Sequence, residues 1–322
     1  VSVKVVTTSP GFGKAGDLPT RIAEAGWSFH RTDAAGLDAH LADMDFLVAG
    51  LPRVTAELID RAPRLKAVLK HGVGLDSIDV SACTARGIPV LSTPGANAIA
   101  VAELALAAIF ALSRNLVAGH LSVTSGGWDR RPGREVEGAT LGIVGFGAIG
   151  KTLARKARAL EMRVLATDPY PDTAFAEKLG VSLVPLEALL VDSDFVSLHV
   201  FGGAGNAALI GAAQLAAMRP GACLLNLARG EVVDLDALAV SLASGHLGGA
   251  AIDAYVTEPP DTAHPIFRDP RVIFSPHSGA DTEGSLIRMG GMVIDDIAEI
   301  LAGHRPTRVV NPEAFDRKGA RP

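Results

Sequence analysis

The run Gly145-Phe146-Gly147-Ala148-Ile149-Gly150 is the feature that most narrows the fold. It follows the apolar stretch Leu141-Gly142-Ile143-Val144 and precedes a helix-like stretch from Lys151 to Leu160. A strand that enters a glycine turn and leaves as a helix brings backbone close to a phosphate. The helix start then aims unpaired N–H groups and a positive dipole end at the anion. The same spacing alone also describes a turn that binds nothing. Here a second apolar run, Val164-Leu165-Ala166, leads to Asp168, which places an acid where a dinucleotide's ribose hydroxyls are met. That carboxylate would repel a 2′-phosphate, and Pro169-Tyr170-Pro171 rather than an arginine follows it. NAD is therefore expected over NADP, held by Gly145, Gly147, Ala148, Ile149, Gly150 and Asp168.

A chain of 322 residues exceeds the usual single core, so two domains are expected. With 48% hydrophobic and 20% charged residues and a net charge of −5, it falls among globular chains and gives no electrostatic case for nucleic acid. The opening Val1-Ser2-Val3-Lys4-Val5-Val6 reads as a first strand rather than a signal peptide. The longest apolar stretch, around Ala98 to Leu112, carries Glu103 and is short for a bilayer span. A cytoplasmic protein without membrane partners is expected. Cys83 and Cys223 lack CxxC spacing and read as inert thiols, and histidines such as His199 and His264 have no metal-ligand spacing. No metal is expected.

Apolar runs alternate with helical stretches in two series. Val3-Thr7, Phe46-Ala49, Ala67-Leu69 and Pro89-Leu91 read as strands, with helices beginning near Leu18, Thr55 and Ser77. The second series starts at the Gly145 turn and adds strands near Val164, Phe195-His199, Cys223-Asn226, Ala250-Ile252 and Val272-Phe274. Between them, Ile99 to Leu112 is apolar on nearly every face, which predicts a buried helix, stiff enough to serve a hinge. A last helix from Thr282 to Leu301 follows the final strand and is placed to carry the chain back to the first lobe. The tail beyond Pro312 reads as loosely held.

Three ionisable residues fall at strand ends or in loops of the second series: Arg229, Glu258 and His277. In open α/β sheets the carboxyl ends of strands border the ligand crevice. Singly, each has a bland explanation as surface charge, turn residue or loop histidine. Together, after a dinucleotide turn, they suit oxidation of an alcohol by hydride transfer. That reaction needs a base for the hydroxyl proton and a cation for a carboxylate or developing alkoxide. A carboxylate bonded to His277 fixes its tautomer and favours the imidazolium, while Arg229 offers a planar fork that lysine would lack.

The sequence resembles the D-isomer-specific 2-hydroxyacid dehydrogenase family, to which phosphoglycerate dehydrogenases belong, almost end to end. The likeness runs through Lys70-His71-Gly72-Val73-Gly74-Leu75-Asp76-Ser77-Ile78-Asp79, Thr93-Pro94-Gly95-Ala96-Asn97, Gly127-Trp128-Asp129-Arg130 and the Gly145 turn. It continues through Asn226-Leu227-Ala228-Arg229-Gly230, Asp253 to Pro259, and Ser275-Pro276-His277. The resemblance implies that Arg229 binds the substrate's carboxylate and carbonyl, that Glu258 pairs with His277, and that His277 is the general acid and base. It further implies that Asp253 meets the nicotinamide carboxamide, that Asn226 to Arg229 run beside the cofactor, and that the molecule is a homodimer. Glycines at 72 and 74 free N–H groups for a carboxylate, which assigns Val73 and Gly74 to substrate, although a turn without ligand fits the same residues. Asn97 either helps close the hinge or caps the connecting helix, His71 is either a substrate contact or a surface residue, and Trp128 is expected to pack at a lobe boundary.

The fold expected is α/β, two doubly wound parallel-sheet lobes. A Rossmann NAD-binding domain over 99–285 is inserted into a flavodoxin-like substrate domain made of 1–98 and 286–322. The activity expected is NAD-dependent interconversion of a 2-oxo acid and its D-2-hydroxy acid in a cleft closed by lobe motion. Two departures from the family pattern stand out. Val200-Phe201-Gly202-Gly203-Ala204-Gly205-Asn206 replaces a proline and threonine-rich turn. Gly50-Leu51-Pro52 stands where phosphoglycerate-using relatives place an Arg-Ser pair. The second weighs against 3-phosphoglycerate, unless Arg53 or Lys70 compensates. That substrate remains one alternative, and an NAD-sensing corepressor-like binding protein on the same fold is the other.

Overall fold

The computed structural model describes residues 2–316. The chain divides into two compact units, one running to Asn97 and resuming at Ala280, the other Ala98–Gly279.

The first unit is a five-stranded sheet with all pairs parallel, built from β1 (Lys4–Thr7), α1 (Leu18–Glu24), β2 (Ser28–Arg31), β3 (Phe46–Ala49), α2 (Ala56–Asp60), β4 (Ala67–Lys70), α3 (Val80–Ala85) and β5 (Val90–Leu91). Its order, β2-β1-β3-β4-β5, is the flavodoxin-like one, and the direction of winding reverses between β1 and β3. β3 and β4 are buried at every position because helices cover both faces, which is why they read as unbroken apolar runs. α2 starts where Thr55 Oγ1 accepts the Leu58 N–H. α3 starts at Val80, later than the predicted Ser77, because the Asp79 carboxylate caps it by accepting the Ala82 N–H.

The second unit contains α4 (Ala98–Ser113), α5 (Leu116–Thr124), β6 (Thr140–Val144), α6 (Ala148–Ala159), β7 (Arg163–Thr167), α7 (Thr173–Leu179), β8 (Ser182–Leu183), α8 (Leu186–Asp192), β9 (Phe195–Leu198), α9 (Ala212–Ala217), β10 (Cys223–Asn226), α10 (Leu235–Ala243), β11 (Gly249–Ile252) and β12 (Val272–Phe274). Its seven parallel strands run β12-β11-β10-β9-β6-β7-β8, a doubly wound order whose switch point lies between β6 and β9. Alternate residues of each strand serve opposite faces. Leu141 and Ile143 join α4 and α6 in one core, and Val144 joins α8, α9 and α10 in the other. Gly142 has no side chain because α8 packs onto that spot: a Cβ there would overlap Leu189 and the Ser193 hydroxyl.

After β12 the chain returns to the first unit as α11 (Glu283–Leu301), capped by Thr282 Oγ1, which accepts the Ser285 N–H. Val293, Ile294 and Ile297 of α11 join Leu18 and Ile22 of α1 in the first unit's core, and Val309 bridges Leu91. The segment from Pro312 to Asp316, expected to be loose, instead forms a 3₁₀ turn with Ala314 fully buried, because Asn311 ties it to Val90 and Ile88. The rest of the predicted loose tail lies outside the described residues. Trp128, expected to pack at a boundary, is 80% exposed. α4 is buried along Ala98, Val101, Ala102, Ala105 and Ile109 but leaves Ile99 and Phe110 partly in solvent, so it is not buried on every face. Among the described residues no single helix is long and apolar enough to cross a membrane.

Candidate active site

The glycine turn sits at the switch point, where the carboxyl ends of β6 and β9 part. Gly145 has φ +96°, and a Cβ there would lie 2.5 Å from the His199 carbonyl oxygen at the end of β9. A Cβ on Gly150 would overlap the Gly145 carbonyl, so α6 can approach β6 only with glycine there. Gly147 differs from both: no atom lies within 4 Å of where its Cβ would point. Gly147 is also the N-cap of α6 and supplies no capping side chain, whereas Asp172, Asp234 and Thr282 each cap their own helices. The first-turn N–H groups of α6 are therefore left without a capping side chain at a positive helix end.

Asp168 stands just past β7, beside this turn. Its Oδ2 accepts the Phe146 N–H at 2.7 Å and its Oδ1 accepts the Tyr170 N–H at 2.8 Å. Each oxygen keeps a lone pair for a ribose hydroxyl. Open space at Gly147, an uncapped helix start and this half-buried carboxylate together fit a dinucleotide. Beneath the turn, His199 pairs through Nε2 with Ser197 Oγ at 2.9 Å. Burial pushes its imidazole down to about 4, so it is held neutral. The neighbouring Phe201–Asn206 loop presents Phe201 to solvent, and Asn206 Nδ2 donates to the Phe201 carbonyl.

The predicted trio comes from three successive strand ends of the same unit. After β10, Asn226 turns inward: its Nδ2 donates to the Arg229 carbonyl at 2.9 Å and its Oδ1 accepts the Ala228 N–H at 3.1 Å. Asn226 thus shapes the bend that presents Arg229, whose Nη1 donates to the Ala228 carbonyl. Gly230 packs so tightly on the Tyr255–Val256 backbone that no side chain fits. After β11, the chain brings Glu258 to His277, which follows β12. His277 Nδ1 and Glu258 Oε1 are 2.7 Å apart, with both side chains partly exposed. The Glu258–Pro259 peptide is cis.

His277 has φ +51°, an uncommon backbone conformation for a residue with a side chain. Asp253, 4% exposed, holds the flanks of that turn. Its Oδ1 accepts from Ser275 Oγ at 2.6 Å and Ser278 N–H at 2.9 Å, and its Oδ2 accepts from Gly279 N–H at 2.9 Å. One lone pair on Oδ2 remains for a ligand amide. Sequence reasoning missed this bracing, and it missed Ser275 and Tyr255 as members of the network. They lie within the recognised motifs, but nothing in their spacing tells which carbonyl a tyrosine hydroxyl will reach.

Val73 and Gly74 belong to the first unit, in the turn after β4. Gly72 has φ +148°, and its carbonyl accepts both the N–H and the hydroxyl of Thr93 at 3.0 Å. Lys70, 8% exposed, donates from Nζ to the Gly50 carbonyl and, at 3.3 Å, to Ser77 Oγ. It braces the loops that follow β3 and β4. His71 is half-buried in the turn after β4. Its Nδ1 pairs with Ser9 Oγ at 2.9 Å and its ring packs edge-on against Phe12; burial first, then the nearby Lys70 charge, lower its imidazole to about 4. The Asn97 Oδ1 is buried without a hydrogen-bond partner, so it does not cap α4. Cys83 and Cys223 are free and buried, and no group of metal-ligating side chains occurs among the described residues.

Comparison with known proteins places this geometry in a family. Residues 106–279 match the model of the D-isomer specific 2-hydroxyacid dehydrogenase, NAD binding domain. The chain is 37% identical over 267 residues to a D-3-phosphoglycerate dehydrogenase of Archaeoglobus fulgidus, covering 82% of this chain and 51% of the relative. It is 38% identical over 278 residues to a glyoxylate reductase of Korarchaeum cryptofilum, covering 84% of each. The crystal structure of D-lactate dehydrogenase from Aquifex aeolicus, complexed with NAD and lactic acid, superposes with a TM-score of 0.85 at 26% identity, over 96% of this chain and 99% of that one. The chain spans about half the length of the first curated relatives it matches. It belongs to the D-isomer-specific 2-hydroxyacid dehydrogenase family and carries that family's NAD binding domain.

Proposed function

We propose that the protein is an NAD-dependent oxidoreductase that interconverts a 2-oxo acid and its D-2-hydroxy acid. The observation that carries this reading is the Glu258–His277 pair at 2.7 Å, in the same unit as a glycine turn fitted for a dinucleotide. Glu258 accepts the Nδ1 proton and so leaves His277 Nε2 as the atom that faces the reacting oxygen. In reduction, Nε2 gives its proton to the substrate's carbonyl oxygen; in oxidation it takes the hydroxyl proton. The Glu258 carboxylate stabilises the imidazolium on either route. Arg229 grips the substrate carboxylate with its planar fork and draws charge onto the carbonyl oxygen, and the Val73 and Gly74 N–H groups are assigned to substrate binding. The cofactor, when bound, supplies or takes up the hydride at the substrate's second carbon. Asp253, through its remaining lone pair, is assigned the carboxamide of that cofactor. Ala228, buried beside Asn226, is assigned to its contact surface.

Oxidation of D-3-phosphoglycerate is the second reading, favoured by the names of several relatives. Against it stands Gly50-Leu51-Pro52 in place of an Arg-Ser pair. The test is NADH oxidation by the purified protein against 2-oxo acids with and without phosphate. Turnover restricted to unphosphorylated acids supports the first reading, turnover restricted to 3-phosphohydroxypyruvate the second, and tight NADH binding without turnover on any of them overturns both.

A homodimer belongs to the same proposal. No residue of α5 is buried; Leu116 is 64% and Leu121 56% exposed, and Trp128 lies beyond the helix in solvent. An apolar face of this kind is what a second copy would cover. A monomer in sedimentation equilibrium at micromolar concentration would count against it. The buried, unpaired cysteines fit the reducing cytoplasm as its location.

A further inference from the structure

We propose that Tyr255 is a positioning residue for the Glu258–His277 pair, an inference that rests on the acid–base reading above. Tyr255 reaches both partners from one place in the chain. Its backbone N–H donates to Glu258 Oε1 at 3.3 Å, the same oxygen that meets His277 Nδ1. Its hydroxyl donates to the Ser275 carbonyl at 2.9 Å, with the Ile252 carbonyl also in reach at 3.2 Å. The Ser275 carbonyl is the acceptor that holds the His277 N–H, at 3.0 Å. One side chain therefore secures the acceptor that closes the His277 turn, while its own backbone secures the carboxylate that orients the His277 ring.

This arrangement matters because His277 sits at φ +51°, where the surroundings must enforce the backbone conformation. Asp253 enforces it from the Ser275 side chain and the Ser278 and Gly279 N–H groups, but does not touch the Ser275 carbonyl. That carbonyl is left to Tyr255. Aromatic neighbours hold the Tyr255 ring in place, since it stacks on Phe267 with centroids 6.2 Å apart, and Phe267 stacks on Phe274 of β12 at 4.6 Å. The hydroxyl keeps its proton, since burial and then the Asp253 and Glu258 charges push it up to about 12. Asp253, Tyr255 and Glu258 are the titratable groups that the segment after β11 brings against this turn. Tyr255 also lines a cavity of about 230 Å³ together with Val256, Thr257 and Phe267. Without the Tyr255 hydroxyl the Ser275 carbonyl loses its side-chain donor.

The test is Tyr255→Phe, which keeps the aromatic stack and removes only the hydroxyl. The expected result is kcat reduced about fivefold with KM and NADH affinity within twofold, and the pH profile of kcat displaced to lower pH by on the order of half a unit, because a loosened turn weakens the contact with Glu258. A purely structural role would lower the melting temperature and leave the pH profile in place, and that result overturns the proposal, as does unchanged kcat. The ring titration of His277, followed by NMR in histidine-labelled protein and assigned with His277→Asn, provides a readout that needs no turnover. If the wild type proves inactive on every 2-oxo acid while Tyr255→Phe still displaces the His277 titration, the reaction assignment fails and the positioning role stands. An identical titration in both proteins removes the role whatever the activity.

Discussion

Replacing Gly147 by alanine separates what the glycine turn does for the fold from what it does for the ligand. Gly147 has φ −79° and ψ −158°, an extended conformation that alanine adopts freely, and the added methyl meets no atom within 4 Å. The unfolded chain loses entropy with alanine, worth ~0.4–1 kcal/mol in favour of folding, and the weaker N-cap offsets a similar amount. Stability should therefore stay within ~1 kcal/mol of wild type. The methyl does, however, project from the α6 start into the space that a pyrophosphate must enter. A loss of at least ~10-fold in NADH affinity, about 1.4 kcal/mol, is expected. Gly150→Ala supplies the contrast. Its methyl would overlap the Gly145 carbonyl and lie 3.1 Å from Ile143 Cγ2, an overpacking that costs ~1–3 kcal/mol and lowers the melting temperature by several degrees. Fluorescence titration with NADH and thermal melts of both variants decide the matter. NADH bound by Gly147→Ala within twofold of wild type would refute the placement of the phosphates at α6, and a large fall in its melting temperature would refute the claim of open space.

Arg229→Lys keeps the charge but loses the fork, so KM for the 2-oxo acid should rise about tenfold or more while NADH affinity holds; an unchanged KM would remove Arg229 from the carboxylate. Glu258→Gln should move the pH profile of reduction to lower pH, because an amide no longer stabilises the imidazolium, and an unmoved profile would take Glu258 out of the mechanism. His199 provides a pH test of the fold. Its imidazole is lowered from 6.5 to about 4, so the unfolded chain takes up its proton first as the solution is acidified. The stability from burying the neutral ring is full above pH 6.5 and is lost as pH falls toward 4, in total about 3 kcal/mol. Denaturant unfolding of His199→Gln should show a shallower decline across that window, and an equal decline in both proteins would contradict the neutral buried state.

Much of this architecture is legible because the strands that carry the site are buried on both faces. β3, β9 and β10 appear as apolar runs, and the turn at Gly145 is marked by the residue types it demands. β2 and β8 are harder to read for the same physical reason in reverse. Ser28-Phe29-His30-Arg31 and Ser182-Leu183 are edge strands, short and partly exposed, so no apolar run announces them. α5 escapes notice because its apolar residues face outward, and the exposure of Trp128 belongs with it. At the site, the family resemblance implies the pairing of Glu258 with His277, and the two residues follow neighbouring strands of one sheet. The bracing could not be read in advance. Asp253 gives three of its lone pairs to the loop that carries His277, Asn226 folds back on Arg229, and the Tyr255 hydroxyl finds the Ser275 carbonyl. Each of these depends on where a loop lies in space, which side-chain type alone does not specify.

The most direct measurement of the central claim is steady-state turnover of His277→Ala on the best 2-oxo acid, with NADH affinity measured on the same preparation. The expected result is a fall in kcat of at least ~100-fold, the scale of a lost acid–base catalyst, with NADH bound as in wild type. Turnover close to wild type with the cofactor still bound would show that the proton moves elsewhere, and the role assigned to the Glu258–His277 pair would be wrong.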